Sequence, residues 1–337
     1  MGVLGAALTV PATAQAQVIT PCSTSALIAA INTANTGGPT TIVLTPLCVY
    51  SLTTPAETGT RGPDGLPIIR RSIEIRGNGA TIRRTVGSPP FRILEVLGGG
   101  LTLSNLTIRG GDSGADTGGG VLVDGGTVFR ATAVTFTGNQ GDNGAALSGD
   151  TADVTLLTSR ITGNTTTGGG AGAVYNDGSL LVQSSNIVDN TANTGGGGIY
   201  NEQGGVATVR NSVIQGNTAR TTFGGGIVNL SGSTLRLQSS TVALNTAATD
   251  GGGIYNSGTL FVTSGSIFGN YASGRGGGIF NQTGGTVSLT SSTVARNQAT
   301  SGGGIYNAAG PGSVTRAFTS IVLNIPDNCA PTSTSCG

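Results

Sequence analysis

Residues 251–256 read GGGIYN, and the same six letters return at residues 196–201 and 302–307. Close variants occupy three further positions, GAVYN at 172–176, GGGIVN at 224–229 and GGGIFN at 276–281. A second mark is an asparagine that ends a short apolar run. It recurs every 25 to 28 residues, at Asn139, Asn164, Asn190, Asn217, Asn245, Asn270 and Asn297. Self-similarity at a fixed period of this length is typical of a solenoid.

Between these two marks lies a third segment of alternating apolar residues, such as Leu235-Arg236-Leu237. Each repeat therefore holds three short segments with the period of two that β-strands require, separated by Gly, Asn, Ser and Thr turns. Strands this short are stable only when neighbouring coils stack them in register and bury a continuous core. The sequence predicts an all-β, right-handed parallel β-helix with three sheets.

Stacking places equivalent residues of successive coils about 4.8 Å apart. We expect interior Ile and Val to form aliphatic columns. The repeated Asn should form ladders in which each amide bonds the next coil and satisfies buried polar groups. The glycines suit turns that need a positive φ or a close approach of the backbone.

The composition narrows the chemistry. The 337 residues include no His, no Trp, and no Lys among the 16 basic residues. Missing His removes the commonest general base and zinc ligand, and missing Lys removes Schiff-base chemistry. The formal net charge of +1 gives no electrostatic reason to expect nucleic acid or an anionic membrane as partner. No run after the start approaches membrane-spanning length, so no transmembrane segment is expected.

The two ends of the chain differ from the repeats. At the start, a short apolar stretch precedes Ala14-Gln15-Ala16, which fits the A-x-A cleavage pattern of a signal peptide. The predicted organisation is a signal peptide (1–16), an N-terminal cap (17–52) with a helix (25–35), β-helix coils (53–325) with an excursion around 58–67, and a C-terminal cap (326–337).

The four cysteines lie at the two ends, Cys22 and Cys48 near the start, and Cys329 and Cys336 near the finish. The ends of a solenoid are tens of Å apart, whereas a disulfide needs a Cα separation of roughly 4–7 Å. We therefore predict the local pairs Cys22–Cys48 and Cys329–Cys336; the alternative is four free buried thiols. Disulfides imply an oxidising compartment, so an extracellular or cell-surface location is expected.

The GGGIYN and apolar-x-x-Asn signatures resemble the repeats of chlamydial polymorphic outer-membrane proteins and of secreted bacterial proteins with the pectate-lyase-like β-helix. The segments CSTSALIAAINTAN (22–35) and TIVLTPLCVYSL (41–52) are similar to the start of the second group. The resemblance covers roughly residues 20–337. It implies the fold, whereas the group includes lyases, hydrolases, adhesins and passenger domains.

The resemblance implies that an enzyme of this kind uses an acidic cluster, or a calcium–arginine pair, on one exposed sheet. The best acidic candidates follow the GGxxxN motif. There Asp177 and Glu202 should stack in adjacent coils, with Asp124 and Asp150 at roughly equivalent places before them. Two carboxylates near 5 Å would match the spacing of retaining glycosidases. The alternatives are an incidental acidic edge and a specific binding site.

No cofactor is predicted, and calcium is the only metal with candidate ligands. Asp112 and Asp116 lie in a Gly-rich loop, and Asp142 lies in the loop one coil later. Carboxylates and backbone carbonyls in such a loop are compatible with calcium. The spacing does not match an EF-hand, and an ordinary polar loop is the alternative.

Within each GGGIYN segment, Ile and Asn point to one side and the residue between them points to the other. With Ile in the core, an external aromatic column is predicted, broken by Val228 and made of Tyr175, Tyr200, Tyr255, Phe280 and Tyr306. Sugars stack on flat aromatic faces, so the column is a candidate ligand-binding site. The alternative is a cross-strand ladder that only stabilises the sheet.

Arginines are concentrated early in the chain, where Arg61 is followed by Arg70, Arg71, Arg76, Arg83, Arg84 and Arg92. Together they predict a basic end suited to sulfated, phosphorylated or uronate polymers. A solvated edge that resists end-to-end stacking is the alternative.

The sequence thus favours a secreted or surface-displayed, monomeric, non-catalytic protein with an adhesin-like role. Its expected partner is a polysaccharide or cell-surface glycan. The two alternatives are a polysaccharide lyase or glycoside hydrolase acting on acidic polysaccharide, and a structural spacer.

Overall fold

The computed structural model describes residues 17–38, 40–168, 172–332 and 336. The predicted signal peptide lies outside these residues. The chain forms a stack of parallel coils along which three sheets run, of twenty, six and ten strands, and it carries one two-stranded antiparallel hairpin. The prediction of an all-β parallel β-helix with three sheets is confirmed.

The twenty-stranded sheet takes two consecutive strands from most coils, and three early coils join them into one long strand. Its strands are Gln17–Thr20, Thr41–Leu44, Val49–Leu52, Ile73–Arg84, Gly100–Arg109, Val128–Thr137, Asp153–Leu157, Arg160–Thr162, Ser179–Gln183, Asn186–Val188, Val206–Arg210, Val213–Gln215, Thr234–Gln238, Thr241–Ala243, Thr259–Thr263, Ser266–Phe268, Thr286–Thr290, Thr293–Ala295, Val314–Ala317 and Ser320–Val322.

The other sheets are built from shorter strands. The six-stranded sheet contains Gln140–Gly141, Thr165–Thr166, Thr191–Ala192, Thr218–Ala219, Thr246–Ala247 and Tyr271–Ala272. The ten-stranded sheet contains Leu94–Val96, Val121–Val123, Leu147–Gly149, Val174–Asn176, Ile199–Asn201, Ile227–Asn229, Ile254–Asn256, Ile279–Asn281, Ile305–Asn307 and Cys329–Ala330. The hairpin pairs Glu57–Gly59 with Gly62–Asp64 and is the predicted excursion.

The triple glycine of each motif has a backbone explanation. Gly251, the first of its three, adopts a φ of +69°, which disfavours a residue with a Cβ. A Cβ on Gly253, the third, would lie 2.6 Å from the carbonyl oxygen of Gly278 in the next coil. The motif therefore turns the chain into the ten-stranded sheet and lets two coils approach closely.

Both asparagine series form the predicted ladders. In the first, the side-chain amide of Asn217 donates to Oδ1 of Asn245 at 3.0 Å, and Asn245 donates in turn to Asn270 at 3.0 Å. In the second, Asn229 donates to Asn256 and Asn256 donates to Asn281, both at 2.8 Å. These side chains are at most 1% exposed, so each ladder satisfies polar groups that water cannot reach.

A serine ladder follows the corner between the paired strands of the twenty-stranded sheet. It was not predicted from the sequence. The backbone N–H of Ser159 donates to Oγ of Ser185 at 2.9 Å, and that of Ser185 donates to Oγ of Ser212 at 3.1 Å. Inside the coils the predicted aliphatic columns are present, and one consists of Ile199, Ile227, Ile254, Ile279 and Ile305, all fully buried.

The N-terminal end is covered by the predicted helix, which runs Thr24–Asn35 and is capped by the Ser23 side chain. Leu27 and Ile31 on its inner face are fully buried against the first coils. Both predicted disulfides are present, Cys22–Cys48 beside this helix and Cys329–Cys336 at the other end. The last strand of the ten-stranded sheet, Cys329–Ala330, begins with one of these cysteines.

Candidate functional site

The outer face of the ten-stranded sheet carries the predicted aromatic column. Strand alternation buries the Ile and Asn of each motif and turns the middle residue outward. The four tyrosines are half-buried at this face: Tyr175, Tyr200, Tyr255 and Tyr306. Phe280 was also expected outside, but its side chain is 1% exposed, and Val228 is fully buried.

The rings of the column stack on one another. The centroids of Tyr175 and Tyr200 lie 6.2 Å apart, and their planes differ by 17°. The Phe280 ring lies 5.3 Å from that of Tyr255 and 5.5 Å from that of Tyr306, again nearly parallel. Because the rings face each other, the column presents ring edges and hydroxyl groups to a ligand, and not the open faces that sugars stack on.

Two side chains from outside the motif complete the column. Phe223 stacks on Tyr255 at 4.1 Å, on the side of the coil that carries Val228. The Arg275 guanidinium lies over the rings of Phe280 and Tyr306, at 4.9 and 5.0 Å, while it pairs with Asp250 at 2.9 Å. These contacts hold the rings in fixed orientations and explain why Phe280 is covered.

The acidic candidates form a row, because each directly follows a strand of the ten-stranded sheet. The backbone N–H groups of Asp150, Asp177 and Glu202 each donate to the coil before, at 2.9, 2.9 and 2.8 Å, so the three residues occupy successive coils. Asp124 occupies the same position one coil earlier, where its N–H donates to Val96. Arg61 binds Asp150 at 3.2 Å. Within the described part of the chain, no arginine pairs with Asp177 or Glu202.

The charges of the acidic row affect the pKa of Asp177 and the pKa values of the neighbouring tyrosines. Burial, followed by the neighbouring charges of Asp150 and Glu202, raises the pKa of Asp177 above the ordinary value of a carboxyl group. Burial and the charge of Glu202 raise the pKa of Tyr200 to about 12, and burial with the same charge also raises that of Tyr175. The hydroxyl groups of Tyr175 and Tyr200 therefore stay neutral hydrogen-bond donors at physiological pH.

A buried ionic cluster that was not predicted from the sequence lies at the start of the same sheet face. Glu95 is in register with Leu122 of the next coil, in the line of positions that later carries the tyrosines. Arg92 contacts Asp64 at 3.1 Å and Glu95 at 3.3 Å, and all three side chains are at most 1% exposed. The only sequence signal was an acidic residue inside the apolar segment Ile93-Leu94-Glu95-Val96.

The pKa of Asp64 is raised in this cluster. Burial raises its pKa most strongly, the Arg92 charge lowers it, and the hydrogen bond and charge of Glu95 raise it, with a result of about 8. The hairpin lies against the cluster. A Cβ added to Gly59 of the hairpin would lie only 3.0 Å from Oε2 of Glu95. In this closed arrangement the cluster is inaccessible to a ligand.

The calcium candidates have other partners. Asp112 pairs with Arg84 at 3.4 Å, and Asp116 lies 3.7 Å from both Arg61 and Arg92. Asp142 accepts from the side chain of Asn143 at 3.4 Å. Over residues 17–38, 40–168, 172–332 and 336, no three Asp, Glu, His or Cys side chains converge as a metal site.

Most of the predicted basic end is neutralised. Arg70 pairs with Glu57, Arg76 pairs with Glu74 at 2.8 Å, and Arg84 pairs with Asp112. Arg92 is buried, and Arg61 bridges acidic residues of two different coils. The expectation of a basic end is wrong for these five residues, because each lies beside a carboxylate. Arg76 meets Glu74 of its own strand, and the other four meet carboxylates of the hairpin or of neighbouring coils.

Comparison with known proteins bears on the fold. A family model described as the right-handed β-helix region matches residues 92–263, slightly more than half of the chain. No curated protein and no solved structure matches the chain. The described residues contain no helix long and apolar enough to cross a membrane. A β-helix of this kind occurs in surface proteins and in enzymes, so the fold alone does not assign either function.

Proposed function

Since the chain belongs to the right-handed β-helix family, we propose that it is a secreted or surface-displayed protein that holds an uncharged glycan without cleaving it. The glycan would lie along the outer face of the ten-stranded sheet. Both disulfides are compatible with an extracellular location.

The observation that carries this proposal is the column of four half-buried tyrosines running along the stack. Tyr175 and Tyr200 are register partners in adjacent coils, and their ring centroids lie 6.2 Å apart. A solenoid provides an extended surface of this kind, which suits a polymer better than a compact ligand. Neutral hydroxyl groups and ring edges match the hydroxyl groups and apolar patches of a sugar chain.

Stacking makes the surface rigid before the ligand arrives. Each ring is fixed by a neighbour, and Arg275 fixes two of them. Side chains that are already ordered lose little conformational entropy on binding, which improves affinity. The column therefore contributes to binding although its ring faces are covered.

The adjacent carboxylates select the charge of the ligand. Asp177 and Glu202 lie in successive coils without an arginine partner among the described residues, so their charges face solvent uncompensated. A polymer of uronate or sulfate groups would be repelled there, whereas an uncharged glycan would not.

A second candidate function, glycoside hydrolysis, is favoured by one observation. The pKa of Asp177 is raised by burial and by two flanking carboxylates, the pattern from which a general acid is made. The proposed binding function and this alternative make opposite statements about cleavage, so they are separable by experiment.

Binding to a glycan array, followed by calorimetric titration of the best uncharged glycan, tests the proposal. The Y200A/Y255A variant should weaken binding about tenfold, since each lost ring contact contributes roughly 0.5–1 kcal/mol. Y271A/F318A is the matched control, because it removes two exposed aromatic side chains outside this sheet and should bind like the wild type.

A second variant tests whether a loss of affinity comes from a loss of structure. Y200F/Y255F keeps the ring stack and removes only two hydroxyl groups, so its fold should be intact and its affinity should fall less than that of Y200A/Y255A. If the wild type binds no uncharged glycan, or if Y200A/Y255A binds as tightly as the control variant, the column is a structural ladder and the proposal fails.

A further inference from the structure

An open cavity of about 500 Å³ lies away from the tyrosine column. It is found where the second strands of the twenty-stranded sheet end and the six-stranded sheet begins. Three arginines contribute to its wall, Arg83, Arg84 and Arg109, together with Thr85 and Gln140. Its volume falls within the range of small-molecule sites.

Two of the arginines stand directly above one another. Arg83 and Arg109 are register partners on parallel strands, so their side chains leave the same face of adjacent coils. Like charges at this spacing repel each other and destabilise the sheet locally. Arg83 donates to the hydroxyl of Ser51 at 3.2 Å, which supplies no compensating charge.

Arg84, in contrast to Arg83 and Arg109, has a carboxylate partner. Arg84 donates to the carbonyl oxygens of Gly110 and Ser88, at 2.9 and 2.7 Å, and pairs with Asp112. No carboxylate among residues 17–38, 40–168 and 172–332 forms an ion pair with Arg83 or Arg109. The wall of the cavity therefore carries two positive charges that the protein leaves uncompensated.

We propose that this cavity binds a phosphate monoester group carried by a larger ligand. Guanidinium groups bind phosphate oxygens through paired N–H donors, so two of them can hold one phosphate. A phosphate monoester carries a charge of about −1.5 to −2 at neutral pH, which balances both arginines. A sulfate ester or a carboxylate carries only one negative charge and leaves one arginine uncompensated. The site does not depend on the glycan surface proposed above.

Calorimetric titration with glucose 6-phosphate, glucose 6-sulfate and inorganic phosphate tests the proposal. Wild type should bind glucose 6-phosphate at least about tenfold more tightly than glucose 6-sulfate. Binding should weaken as the pH falls below about 6, because the phosphate then loses its second charge. Inorganic phosphate distinguishes recognition of the group alone from recognition of its carrier.

The variant R83Q/R109Q should raise the dissociation constant for glucose 6-phosphate at least about tenfold. R160Q/R210Q is the matched control, since it removes the same charge from two exposed arginines of the same sheet outside the cavity. Because R83Q/R109Q relieves repulsion between like charges, its melting temperature without ligand should not fall.

Three outcomes would overturn the proposal. The wild type could fail to bind glucose 6-phosphate at millimolar concentration, it could bind glucose 6-sulfate equally well, or R160Q/R210Q could lose as much affinity as R83Q/R109Q. The variant Y200A/Y255A should retain phosphate binding, so failure of the glycan proposal and failure of this one are distinguishable.

Discussion

At the scale of single residues, the repeated asparagines connect sequence to stability. Asn256 donates to Oδ1 of Asn281 and to the carbonyl oxygens of Gly258 and Thr286, and it accepts from Asn229. Four hydrogen bonds thus converge on one fully buried side chain. Removing it leaves donors and acceptors that no water can reach.

We expect Asn256→Ala to lower the free energy of unfolding by about 1–3 kcal/mol, the cost of leaving buried polar groups unpaired. Asn307→Ala should cost less, because Asn307 ends the ladder and its amide donates to Gly310 within the same turn. Urea denaturation of both variants measures the difference. Equal and negligible losses would show that the ladder does not stabilise the stack.

The buried cluster predicts a dependence of stability on pH. The pKa of Asp64 is raised to about 8 in the folded protein, whereas an unfolded Asp titrates near about 4. Between these values the folded state binds the extra proton, so stability falls as pH rises from about 4 to about 8.

Asp64→Asn removes this titration and should flatten the decline. The free energies of unfolding of wild type and variant, measured at several pH values from 4 to 9, should be similar at low pH, where Asn replaces a neutral carboxyl group. They should diverge as the pH rises, because only the wild type loses stability through this group. Parallel curves would mean that Asp64 has an ordinary pKa and that Arg92 alone balances the cluster.

Repetition decided which residue-scale features could be predicted. The Asn ladders and the register of the tyrosines could be predicted from the period, because the same sequence pattern recurs in each coil. Arg92, Asp64 and Glu95 form a cluster that occurs once, and its members meet only because the hairpin folds over the first coils. The cavity at Arg83 and Arg109 was missed for the same reason, since Arg109 belongs to no repeated motif.

At the scale of elements, the caps cover the two ends of the stack. The helix Thr24–Asn35 covers the first coils. The disulfide Cys22–Cys48 links the segment before the helix to the turn that precedes the strand Val49–Leu52. The helix was predictable from Leu27 and Ile31 on one face. Its first residue was missed by one position, because Ser23, and not Thr24, provides the cap.

The two disulfides should differ in their effect on stability. They close loops with sequence separations of 26 and 7 residues. In the chain-entropy account these are worth about 3.5 and about 2.5 kcal/mol, since a longer loop loses more freedom in the unfolded chain. The variant C22S/C48S should therefore be less stable than C329S/C336S in urea denaturation. The reverse order would place the main stabilising constraint at the C-terminal end.

At the scale of the whole molecule, the parallel stack gives each of its faces a different chemistry. The ten-stranded sheet presents tyrosines beside uncompensated carboxylates, and the border between the other two sheets presents uncompensated arginines. The fold follows from the sequence because one coil, repeated, buries a continuous core. The identity of the ligand cannot be predicted from the repeat in the same way, because outward-facing residues can differ between coils without affecting that core.

The central claim is that the outer face of the ten-stranded sheet binds an uncharged glycan and leaves it intact. The most direct measurement follows glycan chain length by size-exclusion chromatography with light scattering, in the sample whose binding is measured, with and without calcium. We predict that wild type and D177A/E202A bind the glycan alike and leave its chain length unchanged. Shortening of the glycan by the wild type that disappears in D177A/E202A would contradict the account and identify the protein as a glycoside hydrolase.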